Sequence, residues 1–186
     1  MQVENQPIEQ LILSCQQQNQ AAQFEVYRRY SQAMYAIAYR IVKDEYFAED
    51  VMQEGFLKAF LKINDFKNEV TFGAWLKRII INYSIDFQKK NNRYQWDDFE
   101  DVSFKIVEEP TIETDYSQLK VKEVLLALQS LKENYRIILT LMLIEGYDYE
   151  EVSAILNISY ANCRTQYSRA KEQLKKKLET RKNEKA

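Results

Sequence analysis

Three glycines and two prolines in 186 residues leave this chain few places to reverse direction sharply. A sandwich or barrel uses Gly, Pro or Asn-Gly at nearly every hairpin. The scarcity therefore points to long helices with few joints, an all-α fold. Apolar residues make up 46% of the chain and charged residues 29%, enough to bury a core. The length fits one domain or two small ones. No run of about 18 apolar residues is present, and the opening MQVENQPIEQ lacks the basic and apolar regions of a signal peptide. A cytoplasmic protein without membrane insertion is expected.

No histidine occurs anywhere, which removes a Ser-His-Asp triad, a His-ligated metal and the commonest general base together. Cys15 and Cys163 lie far apart with no CxxC pair, so neither a disulfide framework nor a zinc site is expected. The chain reads as a non-enzyme with no catalytic residue, no cofactor and no metal.

The net charge of -2 hides three blocks of different sign. Residues 71–93 carry Lys77, Arg78, Lys89, Lys90 and Arg93 against Asp86, a net of +4. Residues 95–115 carry eight acids against Lys105, a net of -7, and residues 160–186 carry nine cations against three acids, a net of +6. The acidic block contains Pro110, has no sustained helical stripe and repels itself, so it reads as a linker. The division expected is a helical domain at 1–94, an acidic linker at 95–115 and a second helical domain at 116–186. The linker has two readings: a solvated loop, or a strand mimicking nucleic acid along a basic channel.

In the first domain, apolar residues recur in steps of three and four. One stripe is Phe24, Tyr27, Tyr30, Met34, Ile37, Ala38 and Ile41; a second is Phe47, Val51, Met52, Phe56, Ala59, Phe60 and Ile63; a third is Phe72, Trp75, Leu76, Ile79, Ile80, Tyr83 and Phe87. With a shorter helix around Leu11, Ile12 and Cys15, these predict a compact bundle. Asp50, Gln53, Glu54 and Lys58 share the opposite side of the second helix, a ridge suited to a partner helix or to solvent.

AEDVMQEGFLKAF at 48–60, followed by TFGAWLKRIIINYSIDFQKKNNR at 71–93, resembles region 2 of the extracytoplasmic-function (ECF) sigma factors of bacterial RNA polymerase. Ala48, Glu49, Asp50, Gln53, Glu54, Phe56, Lys58 and Ala59, then Trp75, Leu76, Arg78, Ile79, Asn82, Ile85 and Asp86, fall on the family's pattern. The resemblance implies that the Asp50, Gln53, Glu54 ridge binds the clamp coiled coil of core RNA polymerase. It also implies that the third helix and the loop at 64–71 bind the melted -10 promoter strand. Cations among aromatic faces suit single-stranded DNA, and Lys77, Arg78, Lys89, Lys90 and Arg93 sit among Phe72, Trp75, Tyr83 and Tyr94. Asn82 offers a base edge both a donor and an acceptor. Trp75 follows core spacing and reads first as a packing residue, whereas Lys67 and Asn68 in the loop are the better candidates for base reading.

In the second domain, Leu119, Val124, Leu125, Leu128 and Leu131 form one stripe and Ile137, Ile138, Leu141, Met142 and Ile144 another. Gly146 then stops a helix. Asp148 followed by Glu151 is a capping-box variant that starts a helix at Tyr149, and Ser159 can cap the one after it. A short helix, a three-residue turn and a longer basic helix make a helix-turn-helix, with Ser153 allowing close approach and Val152, Leu156, Ile158, Cys163 and Tyr167 facing the core.

This segment resembles region 4 of the same family at Leu131, Arg136, Leu141, Gly146, Glu151, Val152, Leu156, Ile158, Ser159, Arg169, Ala170 and Leu174. Tyr160, Asn162, Arg164, Thr165 and Ser168 are the candidates for -35 duplex reading, Arg164 suited to guanine and Asn162 to adenine. Arg169, Lys171, Lys175 and Lys176 are candidates for phosphate contact. Gln166 stands where the family commonly has a basic residue, which raises the hypothesis of a DNA-tethered recruiter. The resemblance as a whole implies an alternative sigma factor under control of an anti-sigma factor or other regulator. The competing reading is a helix-turn-helix regulator that does not act as a sigma subunit.

Overall fold

Backbone groups at helix ends need partners, and short polar side chains set most of the joints in this chain. Its computed structural model describes residues 3–92 and 116–183. Arg93, Tyr94, the acidic block 95–115 with Pro110, and Lys185 lie outside them. All secondary structure among the described residues is helical, and the chain divides into two units, Met1–Tyr94 and Gln95–Ala186.

The first unit contains a 3-10 turn at Val3–Asn5, α1 (Ile8–Gln16), α2 (Gln20–Val42), α3 (Glu45–Leu61), a 3-10 turn at Ile63–Asp65 and α4 (Phe72–Asn92). Pro7 precedes α1, and its carbonyl accepts from Gln10 N at 3.1 Å and Leu11 N at 3.2 Å. Asn19 caps α2 by accepting from Ala22 N at 3.1 Å. The corner between α2 and α3 takes two residues: Lys43 is left-handed at φ 64, and Asp44 caps α3 by accepting from Phe47 N at 2.9 Å. Thr71 Oγ1 accepts from Ala74 N at 3.3 Å and so starts α4.

Helices α2, α3 and α4 pack against one another and α1 packs on α2. Phe56, Ile41, Leu76, Ile80, Ile81 and Val51 are fully buried, each contributing about 2 kcal/mol by leaving water. A Cβ on Gly55 would stand 2.3 Å from Ile80 Cδ1. Close approach to α4 is the reason for a glycine inside α3.

All three stripes of this unit differ from the sequence expectation, α3 at its start, where Phe47 is exposed. Phe24 is 68% exposed, and the buried position beside it is Glu25, at 3%. Arg28 Nε (2.8 Å) and Arg29 Nε (2.6 Å) bind the Glu25 carboxylate, and their hydrogen bonds hold it down at about 2. In α4 the buried face is Phe72, Leu76, Ile80, Ile81, Ser84 and Ile85, while Trp75, Ile79, Tyr83 and Phe87 flank it half-buried. Packing against both α2 and α3 widens the covered face and turns it away from the apolar spacing.

The second unit contains α5 (Tyr116–Gln129), α6 (Glu133–Leu139), a π-helical turn at Thr140–Ile144, α7 (Tyr149–Leu156) and α8 (Tyr160–Asn183). The expected continuous stripe through Ile144 is interrupted by that wider turn, in which Glu145 N donates to Thr140 O at 3.0 Å; Met142 and Ile144 are half-buried in consequence. Gly146 follows at φ 78 and ends the segment, a conformation costly for residues with a Cβ. Asp148 and Glu151 form the reciprocal capping box, at 2.8 and 2.9 Å. The core is Ile138, Leu139, Leu141, Val152, Cys163 and Ala170. Arg136 is buried too, which pushes its guanidinium below the usual range, with Glu133 opposing the shift.

Candidate nucleic-acid and polymerase interfaces

On α3 the outward line is Tyr46, Asp50, Gln53, Leu57 and Leu61, spaced by three and four residues so that they share a face. Asp50 and Gln53 are exposed and Glu54 is half-buried; Gln53 Nε2 donates to Glu49 Oε1 at 3.1 Å. Tyr46, Leu57 and Leu61 are 76%, 57% and 84% exposed. These three were missed in the sequence because neither neighbouring stripe claims them. They make the ridge amphipathic, the composition that a docked partner helix covers. Lys58 departs from this line: its Nζ lies 3.6 Å from the centroid of the Tyr83 ring on α4. Burial, then the Glu54 and Asp50 carboxylates, raise the Tyr83 hydroxyl above its ordinary range.

The loop before α4 is anchored by Phe66, which is buried and touches the rings of Phe72 at 5.6 Å and Trp75 at 5.3 Å. Beyond that anchor Lys67, Asn68, Glu69 and Val70 are exposed, with Asn68 left-handed at φ 59. Arg78, Asn82 and Asp86 stand exposed at four-residue steps along α4, followed by exposed Lys89 and Lys90. Lys77 is half-buried and lies off that line. Gly73 lies in the first turn of α4, where a Cβ would meet the Tyr30 ring at 3.1 Å. This side of the unit thus combines an exposed loop tip, a cationic line interrupted by Asp86, and half-covered aromatic rings.

In the second unit Ser159 caps α8 by accepting from Asn162 N at 3.2 Å, and Asn157 makes the left-handed exit from α7 at φ 55. Tyr149 fixes the two helices by meeting the rings of Tyr160 at 5.8 Å and Tyr167 at 5.6 Å. Ser153 is buried and donates to Tyr149 O at 2.5 Å. Two hollows border α8. Ala161, Arg164, Thr165, Ser168 and Arg169 line one. Asn162, Gln166 and Arg169 line the other together with Lys132, Asn134 and Tyr135.

Arg164, Thr165 and Ser168 are therefore brought together, and Tyr160 is exposed at the helix start. Asn162 is set apart, about 160° around the helix from Arg164. Gln166 Nε2 donates to Asn162 Oδ1 at 3.1 Å, so the acceptor that two-point adenine reading uses is shared with Gln166. Arg169 stands between the hollows. Lys171 and Lys175 continue outward along α8, Lys171 lying 4.9 Å from the Tyr167 ring centroid and Lys175 within 3.9 Å of Glu179. Lys132, Asn134 and Tyr135 were not legible as site residues, because only the fold carries them to α8.

Among the described residues no helix is long and apolar enough to cross a membrane, and no cluster of acidic or cysteine side chains could hold a metal.

Comparison with known proteins shows the family. Residues 26–94 match the family Sigma-70 region 2, and residues 122–174 match Sigma-70, region 4. The chain is 31% identical to the ECF RNA polymerase sigma factor SigM of Bacillus subtilis over 152 residues, 81% of this chain and 91% of the relative. It is 30% identical to the ECF RNA polymerase sigma factor SigE of Mycolicibacterium smegmatis over 81% of this chain and 59% of that protein. Its fold resembles that of the sigma factor RpoE of Bartonella quintana, solved with the anti-sigma factor NepR, at TM-score 0.59 and 22% identity over 83% and 95% of the two chains. It also resembles CnrH, solved with the cytosolic domain of CnrY, at TM-score 0.55 and 22% identity over 96% and 99%. The two regional matches in this order, with SigM covered nearly end to end, establish that the chain belongs to the ECF sigma factors of bacterial RNA polymerase.

Proposed function

We propose that this alternative sigma factor directs initiation through three separate faces. The α3 ridge, with Asp50, Gln53 and Glu54 among Tyr46, Leu57 and Leu61, docks on core RNA polymerase. Lys58 acts from its place over Tyr83, holding the ridge to α4. The loop tip Lys67–Asn68 and the α4 line Arg78, Asn82, Lys89 and Lys90 take the melted -10 strand, with Lys77 and Arg93 adding charge. In the second unit, α8 enters the -35 major groove with Arg164, Thr165 and Ser168 toward base edges and Tyr160 at the rim. Arg169, Lys171 and Lys175 neutralise phosphates. Catalysis belongs to the polymerase.

The observation that carries this reading is the α3 ridge. Large apolar side chains exposed on one line beside carboxylates and an amide make a face suited to a protein partner, which a subunit that must bind polymerase needs. An anti-sigma partner is part of the proposal, on the strength of the complex with the anti-sigma factor NepR in which the fold relative RpoE was captured.

The test is co-purification with core polymerase and run-off transcription on genomic fragments. Asp50→Ala with Gln53→Ala is expected to weaken polymerase binding by at least about tenfold while duplex contacts by the second unit persist. Unchanged co-purification would count against the docking assignment.

A further inference from the structure

We infer that the hollow between α6 and α8 is a phosphate seat for the DNA backbone, with Lys132 as its principal cation. This rests on the reading of α8 as the duplex-binding helix and adds a contact from a different helix.

Two elements build the hollow. Lys132, Asn134 and Tyr135 come from the start of α6, and Asn162, Gln166 and Arg169 come from α8; together they line an open hollow of about 250 Å³. That volume admits a phosphodiester group with water, and the lining matches one: two cations, three side-chain amides and a phenol. The hydrogen bond that Gln166 Nε2 donates to Asn162 Oδ1 leaves the Asn162 NH₂ as a donor for an anion. Lys132 and Asn134 are exposed. Glu133, the nearest acid in sequence, is absent from the lining, and its charge acts on buried Arg136.

The chemistry also answers a question raised by the sequence. Gln166 carries no cation, and the hollow that it lines receives one from Lys132, 34 residues earlier in the chain. The base-reading hollow on the other side of Arg169 contains Arg164 and Ser168 and is not shared with Lys132. Arg169 is thus flanked by a base-reading side and a backbone side. A helix lying in the major groove meets the same division, between base edges on one side and a phosphate ridge on the other.

The test uses holoenzyme assembled from the full chain and core polymerase, titrated with a promoter duplex and with the same duplex carrying a scrambled -35 element, from 0.05 to 0.3 M KCl. Lys132→Ala is expected to lower affinity about fivefold at 0.15 M salt, equally on both duplexes, and to flatten the salt slope by about 0.9, the value for one phosphate. Lys132→Arg is expected to retain affinity and slope. A neutral methylphosphonate at one backbone position should weaken wild type and leave Lys132→Ala unaffected.

An unchanged slope in Lys132→Ala, with Arg164→Ala still losing promoter preference, would overturn the seat and leave the duplex reading standing. Loss confined to the intact -35 element would overturn it as well, by making Lys132 a base reader. Preferential displacement of wild type by single-stranded RNA would reject duplex DNA as the ligand. If neither Lys132→Ala nor Arg164→Ala changes any duplex, both readings fall.

Discussion

Helices α4 and α8 both present cations to nucleic acid, but the fold holds them in opposite ways. Helix α4 is covered from two sides by α2 and α3, burying Phe72, Leu76, Ile80, Ile81, Ser84 and Ile85. What remains exposed is a narrow line through Arg78, Asn82 and Asp86. Helix α8 buries only the seam of Cys163, Ala170 and Leu174 among its described side chains and leaves most of its circumference in solvent, with a hollow on either side of Arg169. A single strand can follow one line beside half-covered rings. A duplex needs a free cylinder that fits the major groove. The extent of burial therefore separates the two faces better than charge does, since both are basic.

The largest effect that would break this comparison is at Gly55. Gly55→Val puts a branched side chain where even a Cβ stands 2.3 Å from Ile80 Cδ1, and such overpacking costs about 3 kcal/mol. Hydrogen exchange should show α3 and α4 losing protection while Ile138, Leu141 and Val152 in the second unit keep theirs. Retained protection in α4 would mean that the seam is loose and that the narrow exposed line is not set by packing.

The same contrast explains what the sequence could and could not disclose. The joints of the second unit were legible, because Asp148, Glu151, Ser159 and Gly146 act on backbone groups within a few residues of themselves. The helices of the first unit were legible as stripes, but not their true inner faces. Periodicity counts Glu25 as polar and Phe24 as apolar; only two arginines one turn onward make Glu25 the buried one. Gly55 has meaning only opposite Ile80, and Lys132 only opposite Gln166. Contacts of that kind depend on how helices meet, which spacing along one helix does not encode.

Glu25 gives a second way to separate the units, by acid. Its folded pKa, about 2, lies below the ordinary carboxylate value of 4.5, so its contribution is present above about pH 4.5 and fades as pH falls toward 2. Urea unfolding followed from pH 6 to pH 2.5 should show the first unit losing stability across that window in wild type. Glu25→Gln should be weaker at neutral pH and show a shallower acid dependence. Parallel acid curves for the two proteins would remove Glu25 as the cause. The Arg29 guanidinium also donates to Gln6 O at 2.9 Å and Glu4 O at 2.8 Å, so the same variant should expose the N-terminal residues to protease.

The finest division lies within α8 itself, between its tip and its shaft. Arg164 lines the hollow with Thr165 and Ser168 and can reach a guanine edge, worth about 1–3 kcal/mol of discrimination. Lys175, eleven residues on, lies about three turns along nearly the same line, where a straight helix has left the floor of the groove and meets only backbone. Arg164→Ala should therefore cost promoter duplex binding about tenfold while leaving scrambled duplex nearly unchanged. Lys175→Ala should weaken both by a few-fold and flatten the salt slope by about one unit. Its exposed pair with Glu179, at 3.9 Å, is too weak to hold the lysine back from phosphate. Double-mutant cycles should find the two losses additive, since the side chains share no partner. Equal losses on specific and scrambled duplex for both variants would erase the distinction between tip and shaft, and the -35 reading of α8 would then need a different set of residues.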